Sequence, residues 1–130
     1  GADRLLRRYE LNKPHPHAEP WSLAATLDWR WQPSDDGSSC ITGNAQIALL
    51  WLRLAHVDKQ QPASSLRWLN SALKLLDQVK ATQSVGSRHA GIRGGVPGSN
   101  PIWGWYLRLT YPNWAAKFFA DALMETEGVL

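Results

Sequence analysis

Ala25-Thr26-Leu27-Asp28-Trp29-Arg30-Trp31-Gln32, running on into Pro33-Ser34-Asp35-Asp36-Gly37, is echoed about fifty residues later. The second copy is Leu73-Lys74-Leu75-Leu76-Asp77, which continues to Thr82-Gln83 and opens into Gly91-Ile92-Arg93-Gly94-Gly95. Each reads as an apolar helix that ends near a Gln and breaks into a Gly-containing loop. A period of that length matches one helical hairpin with its loops. Helix pairs stacked at such a period bury together the apolar faces that none of them buries alone. The expected fold is therefore all-α.

Outward from this repeat, periodicity and punctuation predict four to five helices. A short one over 3–11 starts at Asp3 as cap and puts Leu5, Leu6 and Tyr9 on one face. Pro14, Pro16 and Pro20 then break the chain into an extended segment. The next helix runs from about Trp21 to Trp31, with Pro20 suited to its first position and Pro33 and Gly37 ending it. Another runs from about Gly43 to His56, capped by Thr42 or Asn44, and Ile47 to Leu52 is apolar all round, as in a buried helix. From Ser64 to Thr82, Leu66, Leu69, Leu73, Leu76 and Val79 recur at helical steps, so this helix is amphipathic. The last runs from Asn113 to Glu125 with Trp114, Ala115, Phe118, Phe119, Ala122 and Leu123 on its apolar face. The organisation expected is an arm over 1–20 and a helical domain over 21–130.

At 130 residues, with 44% hydrophobic and 19% charged residues, the chain has the composition of a folded domain or a piece of a larger protein. It opens on Gly1-Ala2, which reads as an internal start. Eight Trp residues are expected in cores, seams or a ligand cleft. The net charge is +3, with Arg4, Arg7, Arg8 and Lys13 near the start. No nucleic-acid module signature accompanies them, so they read as the solvated end of a helix rather than a nucleic-acid site. Cys40 is the only cysteine, which excludes an intrachain disulfide and a Cys-rich zinc site and is most compatible with a cytoplasmic setting. No apolar run is long enough to span a membrane.

Candidate chemistry gathers in the long segment from Ser84 to Pro112, which holds six of the ten Gly residues. Loops of this length inside a compact domain are often functional. Its Gly-rich part offers backbone N–H groups, with Arg93, Ser99 and Asn100 placed to hold an anion or a sugar hydroxyl, or else simply allows tight turns. Trp103, Trp105, Tyr106 and Tyr111 form either a stacking platform for a sugar or isoprenoid, or packing that holds the loop down. Asn113, Lys117, Asp121 and Glu125 repeat every four residues. They read either as a cavity-facing stripe, with Asp121 and Lys117 as catalytic candidates, or as a solvated face with an ion pair. His89 is a further catalytic candidate beside the Gly loop. His15 and His17 share the spacing of a metal pair but lack a third ligand nearby, so no metal and no cofactor is expected.

Three sets of residues carry a resemblance. They are Leu27-Asp28-Trp29 with Gln32 and Asp36-Gly37, Leu75-Leu76-Asp77 with Gln83 and Gly91-Ile92-Arg93-Gly94, and the helix starts at Cys40-Ile41-Thr42-Gly43-Asn44-Ala45 and Tyr111-Pro112-Asn113-Trp114-Ala115-Ala116. Over about residues 21–126 the chain resembles the α/α-toroid superfamily of terpenoid cyclases, protein prenyltransferase β-subunits and sugar-processing α/α barrels. The resemblance implies inner and outer helices around a cavity, a partial toroid, and a sugar or isoprenoid ligand. The cyclase Trp after the repeat Gly is replaced by Ile92-Arg93, the Asp-rich acid motif is missing, and one Cys does not assemble the prenyltransferase zinc set. Three readings follow. They are a ligand-binding domain, a non-catalytic helical interaction module, and a fragment of a cyclase-like or prenyltransferase-like enzyme. A partial toroid leaves apolar faces to be covered by a second copy or by the rest of a longer chain.

Overall fold

The computed structural model describes residues 1–11, 23–34 and 37–129. Four helices carry the fold: α1 (Ala2–Leu11), α2 (Ile41–Val57), α3 (Pro62–Ala81) and α4 (Asn113–Val129). Two short antiparallel strands, β1 (Ser39–Cys40) and β2 (Ser99–Asn100), pair Ser39 with Asn100 and Cys40 with Ser99. The all-α reading holds at this level, with the strands serving as a clasp.

The centre is α2, which packs against α3 and α4. Its buried residues, Ile41, Ala45, Ala48, Leu52 and Ala55 together with Asn44 and Trp51, leave only a narrow exposed stripe. Ala45, Ala48 and Ala55 are fully buried, as are Ala72 on α3 and Ala115 and Ala122 on α4. Small side chains at these contacts let the helix axes approach closely. The turn between α2 and α3 is fixed by Asp58, whose Oδ2 accepts Ser64 Oγ–H at 2.7 Å and Trp68 Nε1–H at 2.9 Å. Pro62 takes the first turn of α3, where its missing N–H costs nothing.

Helix α1 lies on this unit through Leu6 and Tyr9, both buried, and the Tyr9 and Trp51 rings meet at 5.2 Å. Asp3 is an ion-pair partner rather than a cap. The Arg67 guanidinium of α3 takes Glu10 in a fork, at 2.8 and 2.7 Å, and reaches Asp3 at 3.1 Å.

The α2 start also differs from expectation. The cap is Cys40, whose Sγ accepts Gly43 N–H at 3.3 Å, and Thr42 and Asn44 lie inside the helix. Strand pairing holds Cys40 extended, and Ile41 N–H donates to Gly98 O, so the helix begins two residues early. Asn44 instead donates Nδ2–H to Ser39 Oγ at 2.8 Å and to Gln78 Oε1 at 2.9 Å, joining β1, α2 and α3 in the core.

The largest correction concerns the helix expected over 21–31. Residues 23–34 form no helix; they fold as a tight hairpin closed by a bridge between Leu27 and Pro33. Asp28 decides this. Its Oδ1 accepts the backbone N–H groups of Arg30 and Gln32, both at 2.8 Å, which is the local bonding through which Asp competes with helix. Trp21 and the Pro/His segment, with His15 and His17, lie outside the described residues, as do Asp35 and Asp36. Of the two echoed stretches only the second is helical.

Candidate ligand-binding site

The segment after α3 folds as two closed loops. In the first, Ser84 N–H donates to Gly95 O and Gly94 N–H to Ser84 O, while Gln83 Nε2–H donates to Gly94 O at 2.9 Å. The Tyr111 and Ser84 hydroxyls pair at 3.0 Å, and the Tyr111 ring packs where a β-carbon on Gly95 would sit, at 2.9 Å. Tyr111 therefore pins the loop. Backbone N–H groups of Ile92, Arg93, Gly94, Gly95 and Gly98 all donate to carbonyls. This corrects the expectation of an open anion cradle: the glycines permit turns, and the amides of Gly94, Gly95 and Gly98 are already used.

The chain then runs through buried Val96, Pro97, Gly98 and Ser99 to the strand clasp. Ser99 is fully buried and its hydroxyl donates to Tyr106 O, so it is spent inside the fold rather than offered to a ligand. Asn100 pairs across the clasp with Ser39.

The second loop, 101–110, is closed by Gly104 N–H to Pro101 O and Leu109 N–H to Ile102 O, both at 2.8 Å. Gly104 is seated directly on Ser38, where an added β-carbon would lie 2.5 Å from Ser38 Cβ. Trp105 N–H donates to Ser38 Oγ at 3.3 Å. Between these anchors Trp103 and Trp105 point outward, 62% and 67% exposed. The expectation that the aromatics hold the loop down is met by Tyr111 and not by these two.

The remaining candidates do not join this pair. No hydrogen bond or ion pair among the described residues links Arg93 or His89, both exposed, to Trp103 or Trp105. Asn113 is exposed at the start of α4. Asp121 and Lys117 pair with each other on α4, as their spacing predicts. Asp121 also borders a depression of about 410 Å³ between α2 and α4, lined by Arg53, Met124, Glu125 and Gly128. Arg53 and Glu125 form an ion pair there at 3.5 Å. Both acids thus face cations. Among the described residues no group of three His, Cys, Asp or Glu is placed to hold a metal.

One surface was not foreseen. At the tip of the 23–34 hairpin, Asp28 N–H donates to Gln32 O and Trp31 N–H to Asp28 O, so the turn is bonded on both sides. It presents Trp29, 81% exposed, with the Arg30 guanidinium 4.5 Å from its ring centre. Trp31 sits under Arg4 of α1, at 5.6 Å. The signal was present as Trp-Arg-Trp between Asp28 and Pro33, an alternation bounded by turn residues.

Comparison with protein-family models, with characterised proteins and with solved structures gives no match. No helix among the described residues is long and apolar enough to cross a membrane.

Proposed function

We propose that this chain is a saccharide-binding wall of an α/α-toroid-type helical protein, with Trp103 and Trp105 as the stacking surface. The observation that carries the reading is the pairing of exposure with rigidity: two indoles face solvent from a backbone anchored at Ser38, Pro101 and Ile102. Exposed indoles lose apolar hydration when stacked, and a prearranged Trp gives up little conformational freedom on binding. A sugar ring presents an apolar face of matching shape. An isoprenoid chain gains more from an enclosed apolar cavity than from open rings, so the saccharide is favoured. The toroid part of the reading draws on the nearly encircled α2 beside the amphipathic α3.

Titration of the protein with neutral oligosaccharides and with prenyl diphosphates, followed by calorimetry, tests this. Saccharide binding is expected, and Trp103→Ala and Trp105→Ala are each expected to weaken it about tenfold, equal to ~1.4 kcal/mol. Helicity stays unchanged. Loss of helicity and early melting in both variants would make the two indoles structural and end the reading.

A second reading, an interaction module, is favoured by a separate observation. Leu50 and Val57 share the exposed stripe of α2, and Leu123 and Met124 are exposed on α4. Such a face is what a neighbouring helical repeat covers.

A further inference from the structure

The hairpin tip is a second aromatic surface, and two cations distinguish it from Trp103 and Trp105. It is not a loose apolar end, because Asp28 bonds it from both side chain and backbone. Trp31 adapts poorly to its own position: its φ is +66°, a left-handed conformation that a bulky residue disfavours and glycine adopts freely. Gly at 31 would close the same turn without strain, so the turn alone does not account for an indole there. Strain held at a bonded loop tip points to use of the side chain.

The charges are also arranged unevenly. Arg7, Arg53, Arg67 and Lys117 all face carboxylates. Among the described residues Arg4, Arg8, Arg30, Arg88, Arg93 and Arg108 are in no ion pair, and of these Arg4 and Arg30 lie over an indole. The Oδ1 of Asp28 is turned to two amides of the turn, those of Arg30 and Gln32. A guanidinium seated on a ring keeps its in-plane N–H donors for another partner, and those donors match an oxyanion in a fork. Trp29 and Trp31, with Leu27 and Asp28, line a depression of about 300 Å³, at the small end of the range for ligand sites.

We infer that the tip binds the anionic unit of an acidic saccharide. The sugar ring lies on an indole and its carboxylate or sulfate takes the N–H donors of Arg30, over Trp29, or of Arg4, over Trp31. The ligand class rests on the saccharide reading above, but the residues are different ones. Charge complementarity selects the anion: a neutral sugar gives the two guanidinium groups no counter-charge.

The test uses ¹⁵N-labelled protein with the Trp indole N–H signals assigned by single Trp→Phe variants. Tri-galacturonate, a sulfated disaccharide, neutral cellotriose and phosphatidylglycerol vesicles are titrated separately. An acidic saccharide is expected to move the Trp29 and Trp31 signals, with affinity falling as salt rises. The two acidic ligands tell a carboxylate from a sulfate. Arg30→Gln is expected to lose about tenfold in affinity. Trp31→Gly is expected to keep or raise the melting temperature while losing tip binding, which separates folding from recognition. If saccharides move only Trp103 and Trp105, the tip assignment falls and the saccharide reading stands. Equal tip affinity for cellotriose, or unchanged affinity in both variants, overturns the anion. Vesicles acting where saccharides do not would make the tip a membrane contact and overturn the inference. No response to any saccharide removes both readings.

Discussion

A single hydrogen atom at Gly104 holds the candidate site in place. Any side chain there meets Ser38 Cβ at 2.5 Å and Pro101 O at 3.0 Å, so Gly104→Ala must push the loop off its seat. The expected cost is about 1–3 kcal/mol in urea unfolding, with a parallel loss of saccharide affinity as Trp105 N–H leaves Ser38. Cys40 makes a second test at this scale. Burial pushes its thiol up, and the amides of Gly43 and Thr42 bring it only part of the way back. The thiolate is the reactive form, so alkylation at pH 8 is expected to be slower than for an exposed cysteine, and to become fast in denaturant. The aromatic loop residues were legible as candidates from composition alone. What each does was not, because Tyr111 and Trp105 differ only in the partners that distant residues supply.

At the scale of elements, α1 is the part most easily detached. Its polar tie is Arg67, which grips Glu10 and Asp3 at the surface. Partly exposed pairs contribute little, so Arg67→Ala is expected to cost about 1 kcal/mol or less overall. Its effect belongs in α1, where amide exchange should quicken while α2 and α3 keep their protection. Slight burial tends to raise the Asp3 carboxyl, but hydrogen bonds and charge from Arg67 and Arg7 outweigh it and hold it below its ordinary 3.8. A group depressed in the folded state stabilises above its ordinary value and loses that contribution as pH falls through the lower one. Exchange in α1 is therefore expected to rise below about pH 4, and less so in Arg67→Ala. Helices α2, α3 and α4 were legible because leucines and alanines recur at three- and four-residue steps. The 23–34 hairpin was only partly legible: Leu27, Trp29 and Trp31 alternate at the two-residue step of a strand, while the likeness to the helical stretch at 73–77 points to a helix. Only the bonds made by Asp28 settle the choice.

Considered whole, the molecule is a helical hairpin with a fourth helix laid along its inner member, and one flank remains open. Leu50 and Val57 share the α2 stripe of Arg53, and Met124 of α4 borders the Arg53–Glu125 pair. If a second helical surface covers this flank, the protein should associate at high concentration in analytical ultracentrifugation. Leu50→Glu is then expected to leave it monomeric with an unchanged melting temperature, because an exposed position contributes little to the core. The hairpin tip has the opposite relation to the rest. Its shape is set by bonds contained within five consecutive residues, Asp28 to Gln32, and by the bridge just behind them. The three side chains between those ends can be exchanged without rewriting the core. The tip is thus a natural cassette, in which mutation can explore new recognition while the helices that carry it stay under unaltered selection.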